Sequence, residues 1–360
     1  MSPSYAAGVP TPQIGVPTPQ IGSSDLVDAG DHAVATLAVS IVSHCNRALL
    51  IQSLAALDRA LDDVDADVVV LDNASGDGSP EAVRAAFPNV RLVERGTRAG
   101  FGENHNRVAR GTRSRFLLLL NDDTVVRPDA VRVLLAYLDA QPQVAAVGPR
   151  IVSRDGRVQE TAWRLPSPLA CAMFALGPGR RGWVQSWGTR PHPVGALSGC
   201  ALLLRRDAFE RVGLFDERFF MYAEDLDLCE RLRRAGHEVH YVPGAEVVHD
   251  GQQSSAAFPE RRLNEHWRSL HIYWGKHHRP LGARIAATAT AMGLAENAAI
   301  TELASRLPPR LRPARVTSWR NEGFGRSARL ALRGPNGHGL RELAEEFNLR
   351  QHGPGGGAGP

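Results

Sequence analysis

A chain of 360 residues with 43% hydrophobic and 22% charged residues has the composition of a globular protein and can bury a sizeable core. Its formal charge of +4 is unevenly held: 26 basic and 30 acidic residues up to Pro259 give −4, and 16 basic and 8 acidic residues from Glu260 onward give +8. Cys45, Cys171, Cys200 and Cys229 match no C-x-x-C pattern, which argues against a disulfide framework and for a reducing compartment.

The first 33 residues hold two copies of GVPTPQI, Gly8–Ile14 and Gly15–Ile21, and read as an extended, solvated tail. No basic segment followed by an apolar one marks a secretory signal. Thr36–Ser43 reads as a buried strand, followed by an apolar-periodic helix from about Arg47 to Leu61. Asp67–Leu71 is a second strand, and Asp72–Ser79 is turn and cap chemistry before a helix over Pro80–Phe87. Val90–Val93, Phe116–Leu120 and Val144–Val147 are further strands, with a helix opening at Pro128. Short apolar strands alternating with helices predict a mostly parallel, twisted sheet covered on both faces, with ligands at the carboxyl ends of the strands. Residues 151–195 lose this alternation and read as hairpins and a loop over the crevice. Gly199–Leu204 resumes as a strand, Asp207 caps a short helix, and Glu224–Ala235 is an amphipathic helix with an acidic first turn. Glu238–Tyr241 and Ala245–Val248 are late strands.

Polar clusters follow three of the strands: Ser43-His44-Cys45-Asn46, Asp72-Asn73 and Asn121-Asp122-Asp123. Two adjacent carboxylates repel unless a cation compensates, and hard divalent ions bind through one or two carboxylates plus substrate phosphates. A turn and cap before the Pro128 helix would also account for Asp122 and Asp123. Glu224, Asp225 and Asp227 suit a helix N-terminus. Their position after Phe219-Phe220-Met221-Tyr222 also suits a general base whose pKa an apolar wall raises. His249, at a strand end, is placed to be a metal ligand.

In order, D-N-x-S-x-D-G, G-F-G-x-x-x-N, L-N-D-D-T, S-G-x-x-x-L-x-R, F-x-x-Y-x-E-D-x-D-L-C-x-R and V-x-H resemble the motifs of the family 2 glycosyltransferases, in their rhamnosyltransferase-like branch. The resemblance covers about Thr36 to Ser255. It implies a GT-A-type α/β fold over residues 34–257, with a Rossmann-like nucleotide-binding half and an acceptor half. A helical, basic extension would follow over 258–333, with a partly disordered tail over 334–360. It also implies inverting transfer of rhamnose or another hexose from a UDP- or dTDP-sugar to a lipid-linked or polysaccharide acceptor, with Mg²⁺ or Mn²⁺ as cofactor. Ser43, Asn46, Asp72 and Asn73 would hold the nucleoside. Gly100, Gly102 and Asn106 would line the nucleotide site. Asp123 and His249 would bind the metal. Asn121 stands at the first position of the D-x-D-like motif, which leaves the part of Asp122 open. Asp225 would be the base and Glu224 would contact acceptor or sugar. Ser198, Gly199 and Tyr222 would border the acceptor pocket. A nucleotidyltransferase would carry a Gly-rich loop after the first strand, where this chain reads SHCNRALL. A non-catalytic sugar-nucleotide binder would have no need of Asp123, Asp225 and His249 together.

In the basic part, Arg284 and Glu296 bound an uncharged stretch of eleven residues. It is too short to span a bilayer, which needs about 20. Trp267, Tyr273 and Trp274 before it and eight arginines from Arg306 to Arg333 after it suit peripheral contact with the inner face of an anionic membrane. A helical cap packed on the catalytic domain is the alternative. No nucleic-acid motif accompanies the charge, and no oligomeric state is legible.

Overall fold

The computed structural model describes residues 34–175, 183–249, 258–306, 324–335 and 337–352. The repeat-bearing tail, residues 250–257, the run with Arg310, Arg312, Arg315 and Arg320, and the glycine-rich end lie outside the described residues. Strands β1 (Ala35–Ser43), β2 (Ala66–Asp72), β3 (Arg91–Glu94) and β4 (Ser114–Asn121) are parallel neighbours in the order β3-β2-β1-β4. The sheet continues through β10 (Ala201–Arg205), antiparallel to both its neighbours, to β6 (Val144–Val152), β11 (Glu238–His249) and β5 (Thr124–Val126). The result is the mostly parallel sheet expected of a GT-A-type fold.

The unbroken apolar runs follow from burial on both faces. Along β4, Phe116, Leu118 and Leu120 enter one core, while Leu117 and Leu119 enter another on the opposite face. Helices α1 (Arg47–Ala60), α2 (Ser79–Ala86) and α4 (Ala130–Ala140) supply Leu50, Val83 and Leu134 to the first core. Helices α3 (Phe101–Arg110), α6 (Arg206–Arg211) and α7 (Glu224–Arg234) supply Ala109, Phe209 and Leu228 to the second. Within 151–195 lie β7 (Ala162–Trp163), α5 (Pro168–Ala175) and β8 (His192–Pro193); β8 pairs β11, and β7 pairs β9 (Ala196–Leu197).

Four details depart from the sequence reading. β5 has three residues and pairs only with β11, so it carries no period of its own. The two late strands are one, β11, whose register shifts between Val242 and Glu246. Pro243 in that interval has no N–H to give the ladder, and a bulge accommodates it. The cap position of α6 belongs to Arg205, with Asp207 inside the first turn, accepting from the Ala208 N–H at 2.8 Å. Helix α4 starts at Ala130, after Asp129.

The C-terminal part is helical, with α8 (Pro259–His277), α9 (Pro280–Ser305), α10 (Phe324–Arg333) and α11 (Leu340–His352). Trp267, Tyr273 and Trp274 are at most 4% exposed, in a third core with Cys171, Phe219 and the alanines of α9. These aromatics are therefore packing residues, and the membrane reading loses that part of its support.

Candidate functional site

The strand register brings the polar clusters together. Ser43 pairs across the ladder with Asp72, and Val42 with Asn121, so three strand ends meet in one row. β11 runs antiparallel to β5 with His249 opposite Thr124, which sets His249 beside Asp123. β10 starts opposite the end of β4, and the Asn121 N–H donates to the Cys200 carbonyl at 2.9 Å. One residue earlier, the Gly199 N–H donates to Asp225 Oδ2 at 3.2 Å. The turn Ser198-Gly199-Cys200 thus links the Asp123 side of the crevice to the carboxylate of α7.

Asp122 lies beside the loop that follows β1. Its carboxylate accepts from Ser43 Oγ at 2.8 Å, Asn46 Nδ2 at 3.1 Å and the His44 N–H at 3.3 Å. Burial pushes its pKa up to about 6, the Ser43 and Asn46 bonds oppose this, and Asp123 adds to it. Asp122 therefore fastens the loop after β1 to the end of β4, and Ser43 and Asn46 direct their donors at it. Asp72 is 5% exposed; one oxygen accepts from the Ser75 N–H at 3.1 Å and the other, buried, has no partner. Asn73 exchanges two bonds with the Ala99 backbone, Oδ1 accepting at 2.9 Å and Nδ2 donating at 3.1 Å, which ties β2 to the loop before α3.

Gly100, Gly102 and Asn106 have a different place from the one expected of them. A Cβ on Gly100 would sit 2.6 Å from the Phe220 carbonyl oxygen, and one on Gly102 would sit 2.8 Å from Phe215 Cβ. Asn106 is fully buried; its amide donates to the Phe215 carbonyl and accepts from the Phe215 N–H, both at 2.9 Å. These three residues clamp α3 to the segment that leads into α7. Asn106 offers no group to the crevice.

Asp123 is 7% exposed, and its Oδ1 lies 3.1 Å from His249 Nε2. Gln159 fixes which ring nitrogen faces it. Gln159 Nε2 donates to the His249 carbonyl at 2.8 Å, so Oε1 is the atom 3.1 Å from Nδ1. That oxygen can only accept, so Nδ1 carries a proton and Nε2 is the nitrogen that faces Asp123. With Nε2 unprotonated, a buried carboxylate oxygen with no hydrogen-bond partner facing an imidazole lone pair is an arrangement that a cation relieves. Their spacing matches the edge of an octahedron with bonds of about 2.1 Å. Asn121 Nδ2 is 3.4 Å from the same nitrogen. Among the described residues no cluster of three or more His, Cys, Asp or Glu is arranged for a metal. Asp123 and His249 are the candidate pair among the described residues.

On the α7 side of the turn, Tyr222 and Ala223 have φ of 70° and 60°. Two consecutive left-handed residues other than glycine cost about 1–2 kcal/mol each. They turn the chain sharply into α7, so that Glu224 and Asp225 open the helix. Burial raises the pKa of both carboxyls, and Asp225 adds to the rise at Glu224. The N–H bonds from Gly199 and Leu226, the latter 2.8 Å, oppose it at Asp225. Those two donors favour the ionised form of Asp225, while Glu224 Oε2 is buried without a partner. Ser198, half-buried, borders the same turn, and its N–H donates to the Thr161 carbonyl at 2.8 Å. The Tyr222 ring meets His266 of α8 edge-on, with centroids 5.7 Å apart.

Two residues of this site were not singled out from the sequence. Gln159 sits in the irregular segment, where no period marks it. Arg98, beside the G-F-G motif, is half-buried near His44 and Cys45; burial lowers the pKa of His44 and the Arg98 charge adds to that, while burial raises the Cys45 thiol and the Arg98 charge opposes it. Helix α11 holds it: Asn348 exchanges two bonds with the Arg98 backbone, and the guanidinium lies 3.8 Å above the Phe347 ring.

Comparison with known proteins bears on the family and the fold. The family model described as "Glycosyltransferase like family 2" matches residues 35–268. An N-acetylglucosaminyl-diphospho-decaprenol L-rhamnosyltransferase of Mycobacterium tuberculosis is 36% identical over 230 residues, 59% of this chain and 75% of the relative. The rhamnosyltransferase WbbL of Escherichia coli is 25% identical over 48% of this chain and 69% of its own length. Among solved structures, residues 1–349 of Staphylococcus aureus TarS with UDP-GlcNAc superpose with a TM-score of 0.51 at 11% identity, covering 88% of this chain and 90% of that one. GalNAc-T7 with UDP, GalNAc and Mn²⁺ superposes with a TM-score of 0.50 at 16% identity, over 90% of this chain and 59% of that one. At these identities the two structures speak for the fold alone. With the motifs in order, the sheet mostly parallel and the family model spanning residues 35–268, this chain belongs to glycosyltransferase family 2.

Proposed function

We infer that the protein transfers rhamnose or another hexose from a nucleoside-diphosphate sugar to a hydroxyl of a lipid-linked or polysaccharide glycan, with inversion at the anomeric carbon. The observation that carries this reading is the single turn joining the two halves of the site, bonded to Asn121 through Cys200 and to Asp225 through Gly199. It sets a candidate cation site and a candidate base on either side of one crevice. The rhamnosyl specificity and the diphospho-prenol acceptor of the mycobacterial relative support the choice of substrates. Four free cysteines suit the reducing cytoplasmic side, where the donor would be met.

In this reading Asp72 and the loop over Ser43–Asn46 receive the nucleoside, with the unpartnered Asp72 oxygen as acceptor for its donors. Asp123 and His249 would hold Mg²⁺ or Mn²⁺, which when bound neutralises charge developing on the leaving diphosphate. Asp225, held by two N–H donors, takes the proton of the acceptor hydroxyl as that oxygen attacks. Glu224, whose carboxyl burial and the neighbouring Asp225 charge push toward the neutral form, contacts sugar or acceptor. One carboxylate positioned as base, with no second nucleophile beside it, supports a single displacement. A thermal-shift panel of UDP-, dTDP- and GDP-sugars with and without Mn²⁺ tests the donor site. Stabilisation by one nucleotide class, larger with the metal, is expected, and stabilisation by none of them contradicts the assignment.

A further inference from the structure

Helix α9 inverts the usual order of an amphipathic helix. Its inward residues are small: Ala286, Ala287, Ala289 and Ala291 are at most 8% exposed, in the core shared with α8 and α10. Leu294 packs on that core as well, but four other large apolar side chains face out, with Leu281 71%, Ile285 45%, Met292 62% and Leu303 67% exposed. At about 100° per residue these four fall within about 40° of one another, and they form one stripe along the helix. No charge interrupts the helix between Arg284 and Glu296. Helix α5 lies against its start, where a Cβ on Gly282 would be 3.4 Å from Pro168 Cγ, and it contributes Leu169 and Met173, 71% and 46% exposed. A helix that buries alanines and exposes leucine, isoleucine and methionine gives up hydrophobic stabilisation in water. It recovers that stabilisation only if the outer face meets a second apolar medium.

The neighbouring charges indicate which medium. Helix α10 packs on α9, and its Arg326, Arg329 and Arg333 line one hollow with Leu330 and Gly334. Arg326 pairs with Glu260 at 2.5 Å, while Arg329 and Arg333 are exposed and make no ion pair among the described residues. The chain from Glu260 onward carries +8. No described helix is long and apolar enough to cross a membrane, so an apolar stripe on a helix packed against the arginine-bearing α10 fits a surface. We propose that the α5–α9 face docks on an anionic phospholipid bilayer. The apolar stripe enters the boundary between headgroups and acyl chains, and Arg329 and Arg333 meet lipid phosphates. The proposal does not depend on the identity of donor or acceptor.

The test is flotation of the full-length protein with phosphatidylcholine vesicles, with and without phosphatidylglycerol. Binding to the anionic vesicles is expected. The double variant Ile285→Asp, Met292→Asp should lower the partition coefficient by about tenfold or more. Arg329→Gln and Arg333→Gln should each lower it about fivefold at low salt and weaken its salt dependence. All these positions are exposed, so unchanged thermal unfolding certifies the variants' fold. Failure of the wild-type protein to float overturns the proposal, as does equal flotation of the aspartate variant. A dimer seen by light scattering that the aspartates dissociate, without vesicle binding, assigns the face to a second copy and also overturns it.

Discussion

At the scale of single residues, the site rests on which carboxyl keeps its charge. Asp225 must be ionised to accept a proton, and burial raises its pKa, so activity is lost as pH falls through a value above the ordinary carboxylate range of about 4. The acid limb of kcat/KM against pH should lie there. Asp225→Asn should lower transfer by about 10²–10⁴-fold while leaving donor-induced stabilisation unchanged; an equal loss of donor binding would make Asp225 a binding residue. Gln159 acts on the other half through the tautomer of His249. Gln159→Leu should weaken Mn²⁺-dependent stabilisation about 10–100-fold in metal affinity, with unfolding in chelator unchanged. Asp123, Asp225 and His249 were legible in the sequence because each stands where an apolar strand or aromatic run stops. Gln159 was not, since its role depends on a contact with His249 across 90 residues of chain. Asn106 was legible as a motif but misassigned, because sequence order cannot say that its amide meets the Phe215 backbone.

At the scale of elements, helix α7, which carries the candidate base, is anchored from below by Asp227. This residue has no exposed side-chain surface and pairs with Arg231 at 2.8 Å, Lys276 at 2.6 Å and His277 at 2.7 Å. Burial alone would raise its pKa, but the His277 bond and the Arg231 and Lys276 charges outweigh it and hold it below the usual range. A depressed carboxylate contributes stability above its unfolded pKa of about 4 and loses it as pH falls through the folded value. Asp227→Ala should therefore cost about 3–5 kcal/mol in urea unfolding near neutral pH. The difference from wild type should shrink in acid, and a difference independent of pH would contradict the role. The sequence placed Asp227 in an acidic first turn, and its partners on α8 were invisible there. The parallel strands were legible as apolar runs, whereas β5 was too short to show a period and the Pro243 interval divided β11 in the reading.

At the scale of the whole molecule, the basic extension is part of the site's architecture. Helix α8 closes the third core with Trp267, Tyr273 and Trp274, and α11 braces Arg98 through Asn348. Asn348→Ala, which removes both backbone bonds to Arg98, should weaken donor-induced stabilisation more than it lowers the melting temperature. The reverse order would make α11 a packing element only. Charge and apolar composition pointed to a surface role for this region, yet composition could not tell that the aromatics face in and the aliphatic stripe of α9 faces out. The most direct test of the central claim is transfer of labelled sugar from its nucleoside diphosphate to a prenol-diphosphate-linked glycan by the wild type, Asp225→Asn and His249→Ala, across Mn²⁺ concentrations. The account predicts transfer by the wild type, a loss of about 10²–10⁴-fold by Asp225→Asn that no Mn²⁺ concentration restores, and partial rescue of His249→Ala at high Mn²⁺. Transfer by Asp225→Asn at the wild-type rate would contradict it.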